Sequence, residues 1–192
     1  AQMAESMAPC VLWIDEIEKA FASGRDSSAD GGTSQRLLAS FLTWMQEKEE
    51  SVFLVATANN LEALPPEMIR KGRFDEIFFV DLPNPSERLS IWDIHLRLRK
   101  QAPEQFNLGQ LAQITDGFSG AEIEQAVIAA LYRALEKGLP LNQELLVREI
   151  YETVPLSISR AEELSRLRRY AKKRFVSASN DGSDPNSFPA AA

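Results

Sequence analysis

The most informative segment of this 192-residue chain is Pro9-Cys10-Val11-Leu12-Trp13-Ile14-Asp15-Glu16. A short continuous apolar run is typical of a parallel strand that is covered on both faces. In open α/β sheets, ligands bind at the carboxyl edge, where such a strand ends. We therefore predict that Asp15 holds a Mg²⁺ ion or its water and that Glu16 polarises an attacking water. Alternatively, the two acids only begin a helix over 17–21, since carboxylates favour a helix N-terminus.

The first part of the sequence alternates between strand and helix patterns, which is typical of a parallel sheet. One polar, glycine-rich stretch has too little apolar surface to be ordered, and the next segment repeats its apolar residues at helical spacing. The elements predicted after the first strand are a mobile loop over 22–33, a helix over 34–48, a strand over 52–56, a short helix before Arg70 and a strand over 77–80.

From Asn84 onward the pattern is entirely helical, so the corner at 82–85 is the predicted hinge. Capping residues mark helix starts, and glycine and proline mark a helix end. The predicted caps are Asn84 with Glu87, Asn107, Ser119 with Glu122, Asn142, and Ser159 with Glu162, and the predicted stop is Gly138 with Pro140. The predicted divisions are an α/β part over 1–83, a helical part over 84–156, a basic helix over 157–175 and a disordered tail over 176–192.

Composition argues against several classes of protein. With 44% apolar and 26% charged residues, the chain has ordinary globular usage. No apolar run approaches the roughly 20 residues that cross a membrane. The net charge of −7 argues against a general nucleic-acid binder. The single cysteine, Cys10, precedes the apolar strand, and we interpret it as a small buried packing residue in a soluble, reducing compartment.

A cluster of basic residues near the C-terminus departs from the overall charge. Its members are Arg160, Arg166, Arg168, Arg169, Lys172, Lys173 and Arg174, beside the acids Glu162 and Glu163. A basic helix can bind an acidic partner, nucleic acid or a membrane surface. The alternative is a solvated outer face, with Leu164 and Leu167 packed inward.

Three segments, taken in order, carry a resemblance to a known family. They are Ile14-Asp15-Glu16-Ile17-Glu18-Lys19-Ala20-Phe21, the stretch from Phe53 to Asp75, and Asp116-Gly117-Phe118-Ser119-Gly120-Ala121-Glu122-Ile123. They resemble the Walker B, sensor, arginine-finger and lid motifs of AAA ATPases of the classical type, in the AAA+ superfamily. The amino-acid sequence over 13–21 and 70–80 is most similar to that of the conserved hypothetical AAA proteins of cyanobacteria and algal plastids. This resemblance implies the C-terminal portion of an α/β, parallel-sheet P-loop NTPase core, followed by an all-α lid.

The resemblance assigns roles in hydrolysis to five residues. Asp15 and Glu16 match the Walker B pair, and Asn59 matches the sensor that lies near the γ-phosphate. Arg70 and Arg73 match the two arginines that reach the active site of the adjacent subunit. For Asn59 the alternative is a strand-end asparagine that caps a turn, and for the arginines it is a solvated loop. The implied cofactors are ATP and Mg²⁺.

Four further residues match positions near the nucleotide base. His95 and Ile91 match the adenine side on the first lid helix, and Gly120 and Ala121 match the backbone that approaches the base. Ala121 stands where other AAA clades have a lid arginine. The alternative for His95 is a half-buried helix histidine.

The chain contains no Gly-x-x-x-x-Gly-Lys-Ser/Thr phosphate loop, which would cradle the phosphates. We expect that this reflects N-terminal truncation, with a parent that hydrolyses ATP as a homo-oligomeric ring, a hexamer, and an inactive fragment. The parent would remodel a protein partner in the cytoplasm, or in the plastid stroma if its gene is plastid-encoded. The alternative function is a nucleotide-independent assembly module.

Overall fold

The computed structural model describes residues 2–22, 31–70, 72–172 and 174–179. Two compact units divide the chain, one over 1–77 and the other over 78–192. The first contains α1 (Gln2–Ser6), β1 (Cys10–Ile14), α2 (Ile17–Ala22), α3 (Gly31–Glu47), β2 (Val52–Ala56) and a 3₁₀ turn at Leu61–Ala63. The second contains β3 (Phe78–Phe79), α4 (Pro85–Leu98), a 3₁₀ turn at Pro103–Gln105, α5 (Leu108–Ile114), α6 (Gly120–Glu136), α7 (Gln143–Glu152), α8 (Leu156–Ser159), α9 (Ala161–Ala171) and β4 (Val176–Ser177).

In the first unit, β1 and β2 form the predicted parallel pair, in register from Cys10 beside Val52 to Ile14 beside Ala56. The second strand has the bounds that the apolar pattern predicts. Ile14 and Ala56 share one face of this sheet, and they pack against a core whose buried members are Ile17, Leu42 and Met68. Helices α2 and α3 therefore cover this face.

The other face of the same two strands is open. Val11, Trp13 and Phe53 point to it and are 64%, 63% and 68% exposed. The expectation that the first strand is covered on both faces is therefore wrong for the described part of this unit. Its continuous apolar run does not distinguish a strand buried on two faces from one buried on a single face.

Two other predictions for the first unit need correction. Helix α3 begins at Gly31, three residues before the predicted start, and the remainder of the predicted loop, over 23–30, lies outside the described residues. The short helix predicted between Pro66 and Arg70 is absent. The chain makes isolated turns there, with the N–H of Met68 donating to Pro65 O at 2.9 Å and the N–H of Arg73 donating to Arg70 O at 3.3 Å.

The second unit is a helical bundle with the predicted caps. Asn84 and Ser119 form complete capping boxes with Glu87 and Glu122, and Asn107 and Asn142 cap α5 and α7. Helix α6 ends before Gly138, whose φ is 63°. The core centres on side chains without exposed surface: Trp92, Leu96, Leu111, Ile123, Val127 and Leu146.

The C-terminal segment differs from its prediction. The third strand is only Phe78–Phe79, and it pairs in parallel with Val176–Ser177 rather than with β1 and β2. Residues 176–179 are thus not a disordered tail, and 180–192 lie outside the described residues. Ser159 does not cap the last helix but ends α8, and Arg160 precedes α9 without a side-chain cap bond.

Helix α9 is amphipathic, as its leucines predict. Leu164 and Leu167 are half-buried, whereas Arg168 is exposed and makes a bidentate contact with Asp81 at 2.8 to 3.0 Å. This contact raises the pKa of Arg168. None of the described helices is both long enough and apolar enough to span a membrane.

Candidate functional site

The ends of β1 and β2 lie side by side because the strands are parallel and in register. The N–H of Thr57 donates to Ile14 O at 3.0 Å, and the N–H of Ile17 donates to Thr57 O at 2.9 Å. These bonds connect the two segments that leave the sheet. Asp15, Glu16 and Asn59, which the sequence analysis selected, therefore occupy one edge.

Glu16 adopts a backbone conformation that is uncommon for a residue with a side chain. Its φ is 50°, in the left-handed region. Its N–H donates to Thr57 Oγ1 at 3.0 Å, and the Thr57 hydroxyl donates to an oxygen of Asp15. Backbone strain of this kind concentrates at functional sites, where surrounding contacts maintain it. Thr57, which sequence reasoning did not select, thus holds both acids.

The carboxylate of Glu16 has two partners. Oε1 accepts a hydrogen bond from Asn59 Nδ2 at 3.1 Å, and Oε2 contacts Lys19 Nζ at 2.5 Å. The hydrogen bond and charge of Glu16 raise the pKa of Lys19. The predicted base and the predicted sensor are therefore in direct contact, and the carboxylate keeps lone pairs for a further donor.

The exposed carboxylate of Asp15 suits a magnesium ion bound with a nucleotide. Such ions take one or two carboxylates and complete their coordination with phosphate oxygens and waters. Within the described ranges there is no group of three or more histidine, cysteine, aspartate or glutamate residues that could hold a metal. The edge thus offers one exposed carboxylate, and a Mg²⁺ ion held there would need further oxygen ligands from a bound molecule or water.

The two candidate arginine fingers have different surroundings. Arg70 is exposed, whereas Arg73 is half-buried and its Nη1 donates to Leu42 O of α3 at 2.8 Å. Only Arg70 therefore has its side chain directed to solvent in this conformation.

In the second unit, α4 and the start of α6 bring two of the predicted base contacts together. An added Cβ on Gly120 would lie 3.7 Å from Ile91 Cδ1, so the glycine leaves a narrow space beside this apolar side chain. Ala121 follows in the first turn of α6 and is exposed.

His95, one turn after Ile91, lies in a polar cluster. Its Nδ1 is 3.3 Å from Arg99 Nη1 and 3.7 Å from Glu124 Oε1. Nδ1 thus faces a guanidinium, which can only donate, and a carboxylate, which can only accept, so its role as donor or acceptor depends on the tautomer. A hydrogen bond from Arg99 Nη2, at 2.6 Å, lowers the pKa of Glu124. Sequence reasoning missed Arg99 and Glu124, although their spacing from His95 and Gly120 places them on the same helix faces.

Two family models match this sequence. One is described as the ATPase family associated with various cellular activities (AAA) and matches residues 1–82. The other is the AAA+ lid domain and matches residues 105–145. The chain belongs to the AAA family. The α/β unit of this AAA chain thus belongs to the parallel-sheet core of the family, and the helical unit contains the match to the lid domain.

Similar proteins support the same assignment for the AAA chain. It is 46% identical over 170 residues to the uncharacterized AAA domain-containing protein ycf46 of Pyropia yezoensis, covering 88% of this chain and 34% of the relative. The corresponding protein of Trieres chinensis is 45% identical with the same coverage. A proteasome-activating nucleotidase of Aeropyrum pernix is 38% identical over 144 residues, covering 71% of this chain and 34% of the relative. The chain therefore spans about a third of the length of these curated relatives.

Proposed function

We propose that this chain contributes to an ATP hydrolysis site in which Glu16 is the general base. The contact between the Glu16 carboxylate and the Asn59 amide at the shared strand edge carries this proposal. Glu16 would accept a proton from the attacking water, and Asn59 would fix the orientation of the carboxylate. The left-handed backbone of Glu16 supports this role, because backbone strain of this kind concentrates at functional sites.

Asp15 would hold Mg²⁺ through its exposed carboxylate, with Thr57 fixing its orientation. When bound, the ion would neutralise charge on the phosphates. Arg70, which is exposed, would reach a neighbouring subunit and stabilise charge on the transferring phosphoryl group. Arg73 would take part after leaving Leu42 O, or would support Arg70 from its present position.

The lid unit would contact the nucleotide base. Ile91 would supply apolar contact to the base, and the space beside Gly120 would admit the edge of its ring. The backbone of Ala121, the next residue of α6, would also approach the base. The Nε2 of His95 would contact the base, since Arg99 and Glu124 lie beside Nδ1. These roles require an anchor for the triphosphate, which the present sequence does not contain.

The decisive test is Glu16→Gln in the full-length protein with its phosphate loop. The amide cannot take the proton, so we expect ATP to remain bound while steady-state phosphate release falls below about a tenth of the unmodified rate. Glu49→Gln is the matched control, because Glu49 is an exposed acid outside the site. Equal rates in the two variants would reject the catalytic role and favour a nucleotide-independent assembly module.

We further propose that hydrolysis drives the remodelling of a protein partner by a homo-oligomeric ring, a hexamer. The 38% sequence identity to a proteasome-activating nucleotidase supports a protein rather than a nucleic acid as the partner. The net charge of −7 supports the same choice.

Light scattering of the full-length protein with and without ATP would test whether it forms a ring. A mixture of Glu16→Gln and Arg70→Ala subunits should regain some ATPase activity if Arg70 acts across an interface between subunits.

A further inference from the structure

Glu18 is a buried carboxylate that the proposed mechanism does not use. It is the second residue of α2, and only 5% of its surface is exposed. Oε1 accepts a hydrogen bond from the backbone N–H of Asn59 at 3.1 Å, whereas Oε2 has no hydrogen-bond partner in the described part of the chain. Burial of a carboxylate with an unused oxygen is unfavourable. Packing alone therefore does not account for a glutamate at this position.

The position of Glu18 in the first turn of α2 also suits the helix dipole. That interaction does not require burial, because an exposed carboxylate in the first turn has the same effect. Glu18 instead turns toward the segment after β2, 41 positions along the chain. Its orientation thus follows from its contact with Asn59 rather than from the dipole.

Asn59 makes two hydrogen bonds to glutamates of the neighbouring segment. Its backbone N–H donates to Glu18, and its side-chain amide donates to Glu16, each at 3.1 Å. The first bond fixes the peptide unit from which the second one extends. Loss of the first would release the peptide and broaden the range of positions available to the side chain.

We propose that Glu18 is a positioning residue that holds Asn59 so that the Asn59 amide orients the carboxylate of Glu16. This inference rests on the proposed function of Glu16 as the base. Because the donor is a neutral backbone N–H, the role requires an acceptor oxygen and not a negative charge. Glutamine offers the same oxygen in the same shape, whereas methionine fills a similar volume without it.

The test compares Glu18→Gln with Glu18→Met in the full-length protein. We expect Glu18→Gln to keep kcat within about threefold, and Glu18→Met to lower kcat at least tenfold with ATP affinity changed less than about threefold. In an Asn59→Ala background, Glu18→Met should have no further effect on kcat, because its action passes through Asn59. Equal losses in both Glu18 variants, or additive losses with Asn59→Ala, would overturn the proposal.

Hydrogen exchange at the Asn59 amide separates this inference from the proposed function. Exchange should accelerate in Glu18→Met and stay unchanged in Glu18→Gln, whatever reaction the protein catalyses. If Glu16→Gln does not slow hydrolysis, the proposed function fails. The exchange rate still tests whether Glu18 holds the backbone N–H of Asn59. If Glu18→Met does not fold, Glu18→Gln decides, and a kcat below a tenth of the unmodified value overturns the role.

Discussion

Arg70 and Arg73 lie on the same turn but face different surroundings. The guanidinium of Arg73 donates to the carbonyl of Leu42, inside α3, and its side chain is half-buried. Arg70 is exposed. A charged hydrogen bond to a partly buried carbonyl stabilises the fold, and an exposed side chain contributes little. The two arginines, equivalent in the sequence motif, therefore have separate energetic roles.

We predict that Arg73→Ala lowers the free energy of unfolding by about 1 to 2 kcal/mol, while Arg70→Ala changes it by less than about 0.5 kcal/mol. The reason is that only Arg73 loses a charged hydrogen bond to α3 and leaves a gap beside Leu42. Urea denaturation of the two variants in parallel measures the difference. Equal effects would show that the contact between Arg73 and Leu42 does not contribute to stability.

The candidate site was predictable where its geometry follows from strand ends. Asp15, Glu16 and Asn59 follow two strands whose carboxyl ends meet, so their proximity required only the parallel pairing. The supports of these residues were not predictable. Thr57 and Glu18 act through contacts that span about forty positions, and no local spacing marks such pairs.

At the scale of elements, the short helix α8 docks against the first turn of α6 and the loop before it. The N–H of Leu156 donates to Glu122 Oε1 at 2.7 Å, and the N–H of Ser157 donates to Gly117 O at 3.4 Å. Gly117 has φ 77°, and an added Cβ would lie 2.2 Å from Ser157 Oγ. Gly138 has φ 63° with open space around its Cβ position. Both glycines have a positive φ, but only Gly117 has a close neighbour, so comparing the two distinguishes the effect of backbone strain from that of a steric clash.

We predict that Gly138→Ala destabilises the protein by about 1 kcal/mol and that Gly117→Ala adds a further 1 to 3 kcal/mol from overpacking against Ser157. Thermal unfolding followed by circular dichroism measures both. In a Ser157→Gly background the difference between the two alanine variants should shrink. A difference that persists there would mean that another contact restricts Gly117.

The elements with local sequence signals were the predictable ones. Asn84, Ser119 and Asn142 cap their helices through bonds to residues three positions away, so a local pattern identifies them. The partner of Phe78–Phe79 is Val176–Ser177, which no local pattern could reveal.

At the scale of the whole molecule, the 192-residue chain combines a candidate base with an open apolar sheet face. Val11, Trp13 and Phe53 form that face, and no described residue of their own unit buries them. Exposed apolar surface of this kind favours association or loosening of the fold. The sequence also lacks the loop that anchors phosphates.

We predict that the isolated chain binds Mg-ATP with a dissociation constant no lower than about 1 mM and does not hydrolyse it. One carboxylate and one amide provide little affinity for a triphosphate without the amides and lysine of a phosphate loop. Isothermal titration, with a preparation free of other ATPases, measures the affinity. Micromolar binding would show that the phosphates have an anchor within these residues.

The pairing of β3 with β4 also affects the order in which the helical unit folds and unfolds. It joins the two ends of the described part of the helical unit, reinforced by the hydrogen bond from the Ala178 N–H to Phe79 O at 2.9 Å. The helices between these strands form from neighbours in sequence, whereas this pairing must close a long loop before it gains any stabilisation. It is therefore expected to form last during folding, and to open first when the unit begins to unfold.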